Sequence, residues 1–131
     1  YERAAELMPL TTELLLNLAE SQGKVGKHAE MAGTIREVIR QSPSALAYER
    51  LGSALFRLGE YDQALDAFRT STQTDPDHYP AFNGIGVCLL NRYLWSEKKD
   101  LTSLDEARNA LRRSLQIHRE QPRIAELLTR Y

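Results

Sequence analysis

Three histidines, one cysteine and a scatter of hydroxyl and carboxylate groups are the chemistry-bearing residues of this 131-residue chain. Metal binding would need ligands grouped at spacings such as His-x-x-x-His or Cys-x-x-Cys. His28, His78 and His118 stand far apart, and none has such a neighbour. Cys88 has no second cysteine to bridge, and it reads as a small apolar residue in a helix interface. Gly84-x-Gly86 is too short for a phosphate-cradling loop and falls inside a predicted helix. Ser103, Asp105 and Glu106 group polar atoms, but Ser103-Leu-Asp-Glu106 also has the pattern of a helix capping box. No catalytic residue, no metal site and no cofactor is therefore expected, and the reading is of a protein that is not an enzyme.

Composition narrows the remaining classes. Hydrophobic residues make up 42% and charged residues 27%, as in an ordinary globular domain. A net charge of -1 lacks the basic excess of a phosphate-backbone binder, so no nucleic acid is expected. No apolar run approaches the length of a membrane span, and a cytoplasmic setting is slightly favoured.

The organisation of the chain comes from an internal repeat. Ala47-Tyr48-x-x-Leu51-Gly52-x-x-Leu55 aligns with Ala81-Phe82-x-x-Ile85-Gly86-x-x-Leu89 at an offset of 34. "YDQALDAFRTSTQ" aligns with "LDEARNALRRSLQ" at an offset of 43, so the second copy carries nine extra residues. Both halves of the unit have helical periodicity. Gly59 permits a turn between them, and Pro76 ends the second, because proline has no N–H to donate. Gly52 and Ala64 are small where a larger side chain would force paired helices apart.

On these residues the chain resembles the tetratricopeptide repeat family. Residues 45–78 carry the pattern: Tyr48, Leu51, Gly52, Leu55, Gly59, Tyr61, Ala64, Phe68, Ser71 and Pro76. Leu55 departs from it mildly, since the family often has tyrosine there. The resemblance implies an all-α fold, a right-handed α-solenoid of helix-turn-helix units with a C-terminal capping helix. It divides the single domain 1–131 into the end of a preceding unit (1–11), a divergent repeat (12–44), the clear repeat (45–78), a repeat with the nine-residue insertion (79–121) and a cap (122–131). In the divergent repeat, Leu15, Leu18 and Ala19 take the places of Tyr48, Leu51 and Gly52. Tyr1, Ala4 and Pro9 match the spacing of Phe68, Ser71 and Pro76, and a plain N-terminal helix fits equally. Helices are predicted near 1–8, 12–22, 28–41, 45–58, 61–74, 79–95, 103–119 and 123–130.

In this family the first helices of successive units line a concave groove that receives a partner peptide or helix. The register places Leu16, Glu20 and Lys24 in that groove from the first full unit. Leu46, Glu49, Ser53, Phe56 and Arg57 follow from the second, and Asn83, Val87, Leu90 and Asn91 from the third. Relatives that bind acidic chaperone tails use a Lys, Asn and Arg clamp. The matching positions here hold Leu16, Glu20, Arg50, Pro80 and Gly84, which disfavours that ligand. Tyr93 and Trp95, in the insertion, are expected to pack on their own helices, with a partner-binding knob as the alternative. The expected function is a non-catalytic protein-interaction module. A regulatory or substrate-docking arm of a larger enzyme, such as a transferase or kinase, is the competing reading, and self-association is a third.

Overall fold

A computed structural model describes residues 12–131. Every regular element among them is a helix: α1 (Thr12–Lys24), α2 (His28–Gln41), α3 (Ala45–Arg57), α4 (Tyr61–Thr74), α5 (Tyr79–Trp95), α6 (Leu101–Ile117) and α7 (Pro122–Arg130). The helix expected at 1–8 and the remnant of a preceding unit lie outside the described residues.

Each helix packs on the next in sequence, and α3 also touches α5. The chain is thus an α-solenoid of helix pairs. The turns after α1 and α3 pass through Gly26 and Gly59, each at a φ of 81°, a left-handed conformation that glycine adopts without a Cβ clash. Short connections of this kind turn neighbouring helices back on each other.

Small residues govern how close the helices come. A Cβ on Gly52 would stand 2.7 Å from the Phe68 ring, and one on Gly84 would stand 2.4 Å from the same ring. Phe68 of α4 is therefore wedged between two glycines on α3 and α5, in successive units. Gly86 repeats the arrangement with Leu111 of α6, 2.4 Å from where a Cβ would be. Phe68, Leu111, Ile35, Leu55 and Leu89 belong to one continuous buried cluster.

One hydroxyl is fixed within this core. Ser71, fully buried, donates from Oγ to the Ala45 carbonyl at 2.6 Å, tying α4 to the start of α3. Ser71→Ala is expected to cost about 1 kcal/mol, since a buried hydrogen bond is lost with little volume. Urea unfolding reads it as a lower midpoint, and an unchanged midpoint would show that the bond contributes nothing.

Three sequence expectations are corrected. The helix expected at 103 begins at Leu101, because Asp100 is the cap and accepts from the Ser103 N–H at 3.0 Å. Ser103 is buried and donates its hydroxyl to Asp100 Oδ2, so it is the partner of the cap. These bonds hold the Asp100 carboxyl below the usual carboxylate range. Leu18, assigned to the core by register, is 45% exposed. It lies one helical step off the buried line of Leu15 and Ala19. Trp95 does not fold back on its helix. It is 77% exposed, because α5 ends at it and the chain leaves through Glu97 and Lys98 at φ values of 57° and 64°.

Candidate functional site

The first helices α1, α3 and α5 carry a continuous series of depressions. A cavity of about 490 Å³ lies between α3 and α5. Phe68 forms part of its lining, with Phe56, Pro80 and Val87 as further apolar walls and Ser53, Arg57 and Asn83 as polar ones. A second cavity, about 610 Å³, shares Ser53 and Arg57 with the first and reaches Lys24 on α1. A third, about 460 Å³, shares Glu20 and Arg50 with the second and takes in Leu16 and Leu46. Shared lining residues make the three one groove.

Phe56 has two roles. Its ring is half-buried against the core and meets Tyr61 edge-on, with centroids 5.1 Å apart. It is therefore not the free, solvent-facing aromatic that its register implies, although it also lines the 490 Å³ cavity. Asn83 is oriented by Gln121, the residue that precedes α7. Gln121 Nε2 donates to Ser114 Oγ (2.9 Å) and to the His118 carbonyl (2.8 Å), which turns Gln121 Oε1 toward Asn83. Asn83 Nδ2 donates to that oxygen at 2.8 Å. Asn83 Oδ1 is shielded from solvent and accepts no hydrogen bond among the described residues.

Glu49 sits under the groove in a polar cluster. Ser53 Oγ donates to its Oε2 at 3.2 Å, His78 Nε2 lies 3.4 Å from its Oε1, and Arg50 Nε lies 3.8 Å away. The outer nitrogen of Arg50 reaches Glu20 Oε1 at 3.8 Å. Arg50 is thus held between two carboxylates.

Of the residues that the register places in the groove, Leu16, Glu20, Lys24, Leu46, Ser53, Phe56, Arg57, Asn83 and Val87 line its cavities, and Glu49 is bonded to Ser53. Leu90 is a correction: it is 5% exposed and belongs to the same core cluster as Ala107 and Leu111. Asn91 is also misplaced. It borders a separate cavity of about 210 Å³ with Tyr61, Cys88, Arg92 and Trp95. Tyr93 does not line it. Phe68 is a groove residue that the register missed, and Pro80, at one of the clamp positions, lines the same cavity. The glycines opposite Phe68 were the available signal, because two close gaps on adjacent helices let one ring pass between them.

No cluster of three or more His, Cys, Asp or Glu that could hold a metal occurs among the described residues. Burial pushes the Cys88 thiol up to about 11, more than the nearby Arg92 charge lowers it, so it stays protonated at neutral pH. No helix among the described residues is long and apolar enough to cross a membrane.

The sequence profile of the tetratricopeptide repeat family matches residues 45–78. The small glutamine-rich tetratricopeptide repeat-containing protein 2 of Mycosarcoma maydis is 30% identical over 88 residues, or 66% of this chain. Those residues cover 25% of the relative, so the chain spans about a quarter of its length. The first such domain of Spaghetti (RPAP3), bound to the HSP90 peptide SRMEEVD, superposes with a TM-score of 0.80 at 18% identity, over 91% of this chain and 88% of that one. The Yersinia enterocolitica type III secretion chaperone SycD, in complex with a peptide of the translocator YopD, gives 0.75 at 22% identity, over 95% and 89%. These two likenesses concern the fold. The profile match makes residues 45–78 a tetratricopeptide repeat, and the described helices share the fold of the two solved structures.

Proposed function

We propose that this chain is a non-catalytic protein-interaction module that holds a segment of a partner protein in the groove of α1, α3 and α5. The helix pairs within 12–44, 45–78 and 79–121 act as three successive units, and α7 covers the last. The observation that carries the reading is the 490 Å³ cavity between α3 and α5, with apolar walls of Phe56, Phe68, Pro80 and Val87. Concave apolar pockets with a few convergent polar groups are where ligands seat. Val87 is 36% exposed there, and Asn83 Oδ1 is an acceptor without a donor among the described residues. The RPAP3 domain and SycD, which share the fold, are both seen with peptides. A chaperone tail held by the usual clamp is not the favoured ligand, because the one cation at those positions, Arg50, is already held by Glu20 and Glu49.

The test uses peptides selected from a random-peptide phage library against the folded protein. Fluorescence anisotropy then compares wild type, Val87→Asn and Trp95→Ala, with helicity checked for each. Val87→Asn is expected to weaken the best peptide on the order of tenfold or more, since a central apolar contact contributes about 2 kcal/mol. Trp95→Ala is expected to change nothing. Equal binding by wild type and Val87→Asn, with loss in Trp95→Ala, would move the site to the α5–α6 connection and overturn the proposal.

A further inference from the structure

We infer that the segment held in the groove is acidic beside its apolar anchor, and that Lys24 and Arg57 are the residues that read its carboxylates. This rests on the groove reading and names the chemistry of its partner. Lys24 and Arg57 are the last residues of α1 and α3, at the same position of two successive units. Both border the 610 Å³ cavity. A cation at a helix C-terminus complements the helix dipole, which alone would explain each one. It does not explain their isolation. Neither forms an ion pair with any described residue, whereas Arg50 on the same cavity lies between Glu20 and Glu49 at 3.8 Å each. Among the described residues Glu20 is the one acid in that cavity's lining, and it faces Arg50. His28, on the same wall, has a buried Nδ1 with no hydrogen-bond partner among the described residues. Among the described residues the cavity thus has two uncompensated positive charges and an unsatisfied ring nitrogen, and an anion supplied from outside complements them. Arg57 also lines the apolar 490 Å³ cavity. An anchor in that cavity and a carboxylate in the next therefore belong to neighbouring residues of one segment. The charges sit at the helix ends and occupy none of the clamp positions Leu16, Glu20, Arg50, Pro80 and Gly84, although Glu20 and Arg50 border the same cavity, so side-chain carboxylates suffice as the ligand and no free chain end is required.

The probes are the tightest peptide from the phage selection and its analogue with every Asp and Glu replaced by Asn and Gln. Wild type is expected to bind the acidic peptide about five- to tenfold more tightly than the amide analogue at low salt, as two exposed charge pairs would give. The gap is expected to shrink as salt screens it. In the double variant Lys24→Gln with Arg57→Gln the two peptides are expected to bind equally, and in Val87→Asn both are expected to weaken. Lys24→Glu with Arg57→Glu is expected to prefer the amide analogue. A selected peptide without acids, equal binding of the pair by wild type, or a gap that persists in the double variant overturns the inference, while the groove reading stands if Val87→Asn weakens both. If Val87→Asn weakens neither, the groove reading itself falls.

Discussion

Phe68→Ala is expected to lower the unfolding free energy by about 3–5 kcal/mol, the usual cost of truncating a buried aromatic. The ring is 4% exposed and fills the gap left by two glycines on different helices. Collapse into the vacated space would require α3 and α5 to move together, so the cavity would largely remain. In a chain of this size such a loss corresponds to a fall in melting temperature of about 10 °C or more. Thermal unfolding followed by circular dichroism measures it. A change of only a degree or two would mean that the ring does not join the two units. The same substitution removes part of the cavity lining, so surviving variant protein is also expected to bind selected peptides poorly.

The complementary experiment adds volume. Gly84→Ala puts a methyl where the Phe68 ring now lies, at a separation of 2.4 Å, and Gly86→Ala does so against Leu111 at the same separation. Each is expected to destabilise by about 1–3 kcal/mol through overpacking. The sign matters, because replacing glycine by alanine inside a helix would otherwise gain about 1 kcal/mol. A double-mutant cycle separates these effects. In the Phe68→Ala background, Gly84→Ala is expected to be neutral or stabilising, because the clashing ring is gone. Additive costs in the double variant would show that Gly84 and Phe68 do not meet.

Much of this architecture was legible in the sequence. The reason is that a repeat unit is specified locally: Gly52, Gly59 and Pro76 each act within a turn or two of themselves. Helices α2, α4 and α5 therefore end where periodicity places them. The start of α6 was less legible, because Asp100 and Ser103 are both cap-forming residues and only their mutual hydrogen bonds decide which is the cap. Leu90 was misread because α5 packs on both α4 and α6. Its buried surface takes in Ala81, Ile85, Gly86, Cys88, Leu89 and Leu90, wider than the single stripe that a repeat register assumes. Phe56 was half-legible: its position borders the groove, but its contact with Tyr61 crosses a turn that the register does not describe. The polar setting of the groove was out of reach. The tie between Asn83 and Gln121 spans 38 residues, and the pairing of Arg50 with Glu20 spans two helices.

A partner segment held in the groove lies against α3 and α5. Backbone amide chemical shifts of the isotopically labelled protein, recorded as a library-selected peptide is added, test it most directly. The largest changes are expected at Ser53, Phe56, Asn83, Gly84 and Val87, with smaller ones at Lys24 and Arg57. Changes confined to Arg92–Leu101, or to the outward faces of α2, α4 and α6, would contradict it.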